Sequence, residues 1–303
     1  MAFRVLSPLR GRTITHVFTK PFATTPRLTS TAPRNFFLQK SASFSSTCNG
    51  SFDICAAFEA PSAPFEARKD LEMQQQSQPK DIEQVYLRPG MVLLKNFVGN
   101  DDQINILKQC RELGIGPGGF YRPTPTSVEM RMCLGMIWDA RAKQYAAQQL
   151  FEGEDPLVIP EEFKTLVQTA IETSHELCDE DNVSIEEIPA MVPDIGVVSF
   201  YKDAPKKRVL HQDKYESDFT ITYKGSPVVS ICIGDSAKFV YGDSHNVDKA
   251  KKVIVESGDV IMFGGPSRRI YHGISIIHGT TPRFLAEKAN LRRGLLNLTF
   301  KEY

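Results

Sequence analysis

No run in these 303 residues approaches the 18 or so consecutive apolar side chains of a membrane-spanning helix, so no membrane association is expected. The six cysteines (Cys48, Cys55, Cys110, Cys133, Cys178, Cys232) never occur as C-x-x-C, which argues against a zinc knuckle and a dithiol redox motif. They read as reduced, mostly buried thiols. Tryptophan occurs once, at Trp138. Acidic residues are absent from the first 52 positions, where seven basic ones stand (Arg4, Arg10, Arg12, Lys20, Arg27, Arg34, Lys40). A formal net charge of zero hides this asymmetry. Taking those seven from the 36 basic residues leaves 29 against 36 acids, so residues 53–303 carry about −7.

A basic, acid-free segment rich in hydroxyls, as in Ser41-Ala42-Ser43-Phe44-Ser45-Ser46-Thr47, has the composition of an organelle transit peptide. Residues 1–52 are therefore expected to address the protein to a mitochondrion or plastid, which composition does not separate. The alternative is a tail with no address, leaving the protein in nucleus and cytoplasm. Residues 53–85 read as a polar linker, aperiodic through Met73-Gln74-Gln75-Gln76-Ser77-Gln78-Pro79-Lys80. One folded domain is expected over 86–303.

Within that domain Gly90–Phe97 reads as a strand, and Asn100-Asp101-Asp102 as the N-cap of an amphipathic helix carrying Ile104, Ile106, Leu107 and Cys110. The glycines of Gly114-Ile115-Gly116-Pro117-Gly118-Gly119 follow a helix and contain a proline, so they do not form a dinucleotide-binding turn. A second helix runs from Pro160 to about Cys178, with Phe163, Leu166, Val167, Ala170 and Ile171 at helical spacing. Residues 120–137 are ambiguous. From Ile188 about eight short β-rich runs follow, punctuated by Gly234-Asp235, Gly242-Asp243 and Gly258-Asp259. This order predicts an α+β fold: a double-stranded β-helix (jelly roll) over about 188–303, buttressed by N-terminal helices.

Residues i and i+2 of a strand share a face, so His211 and Asp213 can both point into the barrel, with His272 on a later strand opposite. Two imidazoles and one carboxylate are the donor set of a non-haem Fe(II) site with open positions for co-substrate and dioxygen. Spacing alone leaves structural histidines as the other reading.

Leu210-His211-Gln212-Asp213-Lys214, Val228-Val229-Ser230, Gly258-Asp259-Val260, Gly264-Gly265-Pro266-Ser267-Arg268, Tyr271-His272-Gly273-Ile274 and Asn297-Leu298-Thr299-Phe300 resemble, in order and spacing, the AlkB family of Fe(II)- and 2-oxoglutarate-dependent dioxygenases. The resemblance covers roughly residues 88–303. It implies that His211, Asp213 and His272 hold Fe(II). It further implies that 2-oxoglutarate and O2 are consumed, and that an N-methyl group on a nucleobase is hydroxylated and leaves as formaldehyde. The family's nucleotide-recognition lid corresponds to about 115–150, where Gly118-Gly119-Phe120 and Val128-Glu129-Met130 precede Trp138, at the position that stacks on a flipped base, and Tyr145. Met130, Trp138, Tyr145 and Tyr215 are the substrate-binding candidates.

The sequence departs from the family at three places. The final strand, usually Arg-x-Asn-x-Thr-Phe-Arg, has Leu295 and Lys301 where the two co-substrate arginines stand. Arginine grips a carboxylate through two parallel hydrogen bonds; lysine offers a point charge and leucine none. Arg293, of the same strand parity, is a candidate substitute beside Tyr201, Asn297 and Lys301. Ser199-Phe200-Tyr201 replaces Asn-x-Tyr, and Tyr215 stands where the bacterial prototype has an acid. The expected function is oxidative demethylation of methylated DNA or RNA by a monomer. A catalytically impaired binding module is the alternative, and a metal-free structural jelly roll a third reading.

Overall fold

The computed structural model describes residues 52–55, 81–139, 142–147, 157–176, 188–202, 210–213, 216–217 and 219–303. Residues 1–51 of the segment 1–52 expected to be a transit peptide, as well as Lys206, Lys207, Arg208, Lys214 and Tyr215, lie outside them. Among the described residues two antiparallel sheets face each other. The larger is ordered β1-β2-β9-β6-β11-β5-β3-β4, and the smaller β10-β7-β8. The elements are β1 (Glu83–Arg88), β2 (Met91–Lys95), α1 (Asn100–Ile115), β3 (Glu129–Asp139), β4 (Gln144–Ala147), α2 (Glu161–Glu176), β5 (Ile195–Tyr201), β6 (Val228–Gly234), β7 (Ala237–Gly242), β8 (Lys251–Val255), β9 (Val260–Phe263), β10 (Tyr271–Ile276), α3 (Arg283–Ala289) and β11 (Leu295–Lys301). The jelly roll with helices on one side is the architecture expected. No helix among the described residues is long and apolar enough to cross a membrane.

β11 lies at the centre of the large sheet, paired with β6 on one side and β5 on the other. Alternation assigns its two faces. Leu296, Leu298 and Phe300 join the core under the helices, with Val198, Phe200, Met132 and Leu134 from neighbouring strands and Phe163 and Val167 from α2. Leu295 faces the opposite core, between the sheets, with Met91, Leu93, Cys232, Phe239 and Phe263. Asn297, Thr299 and Lys301 share that second face by parity.

Several boundaries differ from the sequence reading. β3 is an 11-residue strand where 120–137 was ambiguous, and β1, β4 and α3 were not foreseen. The cap of α1 is Gly99, whose carbonyl accepts from Gln103 N at 2.9 Å, so Asn100 is helical instead of capping. The linker assignment fails at its start. Phe52 packs on Phe120 and Phe200 (centroids 6.1 Å each), and Ile54 and Cys55 are buried in the helix-side core. Asp53 accepts from Arg111 Nε of α1 at 2.8 and 3.0 Å. A short apolar segment detached from any periodic run carries no signal of its partner, which is why sequence reading passed over it. Cys55, Cys110, Cys133 and Cys232 are free thiols, and burial raises the pKa of each, that of Cys55 to about 11 and of Cys232 to about 12.

If this segment is part of the core, Ile54→Ala costs about 2–5 kcal/mol of stability by the rule for buried aliphatic truncation. Denaturant unfolding of the full chain measures it. A change within about 0.5 kcal/mol, as at ordinary surface positions, returns the segment to a linker.

Candidate metal centre

The three predicted ligands meet. Their donor atoms lie within 4.8 Å of one another. His211 extends the small sheet by a single bridge to His272 of β10, with His211 N to His272 O at 3.0 Å and the reciprocal bond at 2.9 Å. The two rings stand 4.5 Å apart. His272 is stacked parallel to Phe239 at 5.6 Å and flanked by Phe263 at 4.8 Å. Burial lowers its pKa to about 4, against the opposing pull of Asp213. It is thus neutral at neutral pH, as a ligand must be. Its Nδ1 lies 3.4 Å from Ile270 O, and a proton donated there leaves Nε2 to face Asp213 Oδ2 at 3.9 Å. Burial pushes Asp213 up, but Lys301, His272 and His211 more than offset it and hold the carboxyl at about 2. An ionised carboxylate beside a neutral imidazole fits a divalent cation.

Beneath the ligands lies a buried ion network. Lys301 Nζ stands 2.7 Å from Glu216 Oε1 and 3.6 Å from Asp213 Oδ1. Arg268 Nη2 stands 3.2 Å from Glu216 Oε2, while its Nε donates to Ser226 O at 2.8 Å and its Nη1 to Asp213 O at 3.0 Å. Arg268, at the end of the Gly264–Arg268 motif, is 1% exposed. Burial opposes the charge on Lys301, but Asp213 and Glu216 outweigh it and raise its pKa.

A family model described as the 2OG-Fe(II) oxygenase superfamily matches residues 90–301. The DNA N(6)-methyladenine demethylase ALKBH1C of Arabidopsis thaliana is 45% identical over 225 residues, 72% of this chain and 49% of the relative. The alpha-ketoglutarate-dependent dioxygenase AlkB of Escherichia coli (strain K12) is 28% identical over 202 residues, 62% of this chain and 81% of the relative. The solved structure of OsALKBH1 matches with a TM-score of 0.66 and 46% identity, covering 73% of this chain and 100% of that one. The chain belongs to the AlkB family of Fe(II)- and 2-oxoglutarate-dependent oxygenases. It spans about half the length of the curated Arabidopsis relatives that it matches.

The AlkB co-substrate positions are brought together in part. Tyr201, Asn297 and Lys301 lie on the sheet face that looks toward the metal ligands. Burial, then Glu129, pushes the Tyr201 phenol up to about 12. The Asn297 amide donates to Ser230 Oγ at 2.8 Å and accepts from Thr299 Oγ1 at 3.0 Å. Arg293 does not follow the parity argument. It is exposed and precedes β11, and Gly294 between them has φ +107, so alternation does not carry across.

The lid residues divide. Trp138 pairs with Tyr145 across the β3–β4 ladder, centroids 5.6 Å apart, and Tyr145 packs on Tyr303 at 5.5 Å with Lys301 Nζ 5.9 Å from its ring centroid. Burial raises the Tyr145 pKa while Lys301 opposes the shift. Met130 is a correction: it packs against the helix-side core, because its parity matches Met132 and Leu134. Trp138 has the same parity as Met130, yet its partner Tyr145 reaches Lys301. The strand changes face at Gly135, whose φ of +71 no side-chain-bearing residue adopts readily; a Cβ there would also meet Asp194 O at 2.2 Å. Tyr215 lies outside the described residues.

Sequence reasoning missed three features. Glu216 is unremarkable as a letter three places after Asp213; its role shows only in the ion network. Glu129 and Arg131 were legible as the polar half of the alternation Glu129-Met130-Arg131-Met132-Cys133-Leu134. Phe219 and Tyr223, stacked at 6.3 Å on a single π-helical turn after the metal loop, are 67% and 82% exposed. That turn is tied to the metal segments, since Arg269 Nη2 donates to Thr222 Oγ1 at 2.8 Å and Gln212 Nε2 to Arg269 O at 2.6 Å.

Removing one member of a buried ion network leaves its partners uncompensated. Arg268→Met is expected to cost about 3–5 kcal/mol, and Arg268→Met with Glu216→Leu to recover most of it. Denaturant unfolding of both variants decides; a single variant as stable as wild type refutes the network.

Proposed function

We propose that the protein is an Fe(II)- and 2-oxoglutarate-dependent dioxygenase that removes N-methyl groups from bases in DNA or RNA, acting as a monomer in a mitochondrion or plastid. The observation that carries the reading is the convergence of His211, Asp213 and His272 opposite the polar face of β11. The Arabidopsis relatives named as DNA N(6)-methyladenine demethylases make methylated adenine in DNA the first substrate to try.

When bound, Fe(II) with 2-oxoglutarate and dioxygen supplies the oxidising power for hydroxylating the methyl group. The chain's own residues do the rest. Asp213 presents an anionic donor, His272 a neutral imidazole, and His211 completes the donor set. Lys301 balances Asp213 and Glu216. Phe239 and Phe263 close the apolar side of His272 against water. Trp138 and Tyr145 offer rings to an extracted base, a contact worth about 1–3 kcal/mol per base. The organelle address rests on the acid-free, basic composition of residues 1–52.

A second reading, an impaired family member that binds without turnover, draws on Leu295, which is fully buried among apolar side chains where the family has an arginine.

The proposed enzyme releases succinate and formaldehyde in equal amounts only when Fe(II), 2-oxoglutarate, O2 and a methylated oligonucleotide are all present. His211→Ala abolishes both products; succinate still formed by that variant rules out the ligand assignment. Trp138→Ala is expected to raise KM for the oligonucleotide about 5- to 100-fold, the loss of one stacking contact, with 2-oxoglutarate affinity unchanged. An unchanged KM removes Trp138 from the base site.

A further inference from the structure

The guanidinium missing at Leu295 has a counterpart two strands away. Across the large sheet, Cys232 of β6, Asn297 of β11, Ser199 of β5 and Arg131 of β3 stand in register. The next row toward the β11 start is Gly234, Leu295, Tyr201 and Glu129. Met132 and Leu134 point into the helix-side core, so Arg131 points to the other face, the one carrying Tyr201, Asn297 and Lys301. Tyr201 is its diagonal neighbour on the adjacent strand, within reach of a long side chain.

Arg131 is half-buried, and Glu129 holds one edge of its guanidinium, Nε to Oε1 at 2.8 Å and Nη2 to Oε2 at 3.1 Å. Glu129 Oε1 also accepts from Ser199 Oγ at 2.7 Å, so the shortened residue at 199 docks this ion pair against β5. A guanidinium has a second edge, formed by Nη1 and Nη2, able to take another carboxylate in parallel hydrogen bonds. The Arg131 row lies four residues up β11 from Lys301, about 13 Å along the strand, and Arg131 stands two strands to the side, so the two Cα atoms are about 16 Å apart. Two long cationic side chains and a five-carbon diacid fill that span between them.

We propose that Arg131 binds the distal carboxylate of 2-oxoglutarate through its Nη1/Nη2 edge, replacing the arginine that the family places at position 295. The inference rests on the dioxygenase reading above and names a residue that anchors its co-substrate. In this arrangement Glu129 orients the guanidinium, Ser199 orients Glu129, and Tyr201 lies beside the bound carboxylate.

The test compares two keto acids that differ at the distal carboxylate: 2-oxoglutarate and 2-oxobutyrate. Binding is measured by anaerobic calorimetry on the full chain loaded with Mn(II). Wild type is expected to prefer 2-oxoglutarate. Arg131→Gln weakens 2-oxoglutarate by about tenfold or more, the loss of one charged bidentate contact, and leaves 2-oxobutyrate within about twofold. Because Arg131→Gln strands a half-buried carboxylate, the pair Glu129→Gln/Arg131→Gln carries the same measurement. Adding Leu295→Arg to either is expected to restore the preference. Unchanged 2-oxoglutarate affinity overturns the assignment, and so does an equal loss for both acids, which marks a structural role. Wild type that binds neither acid with Mn(II) instead removes the dioxygenase reading itself, and this inference with it.

Discussion

Two carboxylates and two cations, Asp213, Glu216, Arg268 and Lys301, meet in the protein interior, and the metal loop depends on them. His211 is held to the small sheet by one bridge. Among the described residues Gln212, Asp213, Glu216 and Ser217 belong to no ladder, so main-chain strand pairing does not fix Asp213. Arg268 does so by donating to the Asp213 carbonyl, while Lys301 draws the carboxylate toward β11. Glu216 then makes this affordable electrostatically: two buried cations against Asp213 alone would be an uncompensated charge. Burying such a set contributes little net stability compared with apolar packing. Its use is positional, since it joins the metal loop, the start of β10 and the end of β11 at one point.

β11 also explains how the family's arginine could be lost without unravelling the sheet. Leu295 is fully buried among Met91, Cys232, Phe239 and Phe263. An apolar side chain there adds to the inter-sheet core, whereas a guanidinium would require a counter-charge. The substitution moves the strand's first inward position from binding to packing. The polar part of the inward face begins one row later, at Asn297, level with Ser199 and Arg131. At the far end, Lys301 keeps charge but not the fork. A compact ammonium reaches Glu216 and Asp213 together, as a point charge can.

How much of this was readable in the letters follows from how local each signal is. The ligand triad was legible because His211 and Asp213 are two apart in sequence and the flanking motifs set His272 on a later strand, although that strand lies beside His211, bridged to it, and not opposite. The helices showed their period. What failed were one inference that extended strand alternation through a glycine and one residue carried over from the family resemblance. Arg293 was assigned inward by counting across Gly294, at φ +107; Met130, carried over with Trp138, turns to the helix-side core because Gly135, at φ +71, switches the face between them. Parity is a property of continuous β-conformation, and positive φ at glycine is where it lapses. Ile54 and Glu216 were invisible for another reason. Each derives its role from partners far along the chain, Ile54 in the helix-side core and Glu216 at Arg268 and Lys301.

The charge distribution bears on how such a site would engage nucleic acid. Residues 53–303 carry about −7, so phosphate neutralisation contributes little away from local basic groups. Recognition must then draw on surfaces indifferent to that repulsion. Aromatic faces are such surfaces, because every base has a π-face and stacking needs no charge. The described residues connect two such groups to the metal segments: Trp138 with Tyr145, whose ring lies 5.9 Å from Lys301 Nζ, and the exposed pair Phe219 and Tyr223 on the turn anchored to Arg269. If the proposed demethylase reading holds, an acidic domain that grips bases more than backbones would favour strands whose bases are already unstacked, since extraction from a duplex costs a few kcal/mol. The physical expectation is a preference for single-stranded or locally opened substrate, set by the same net charge that the total of zero conceals.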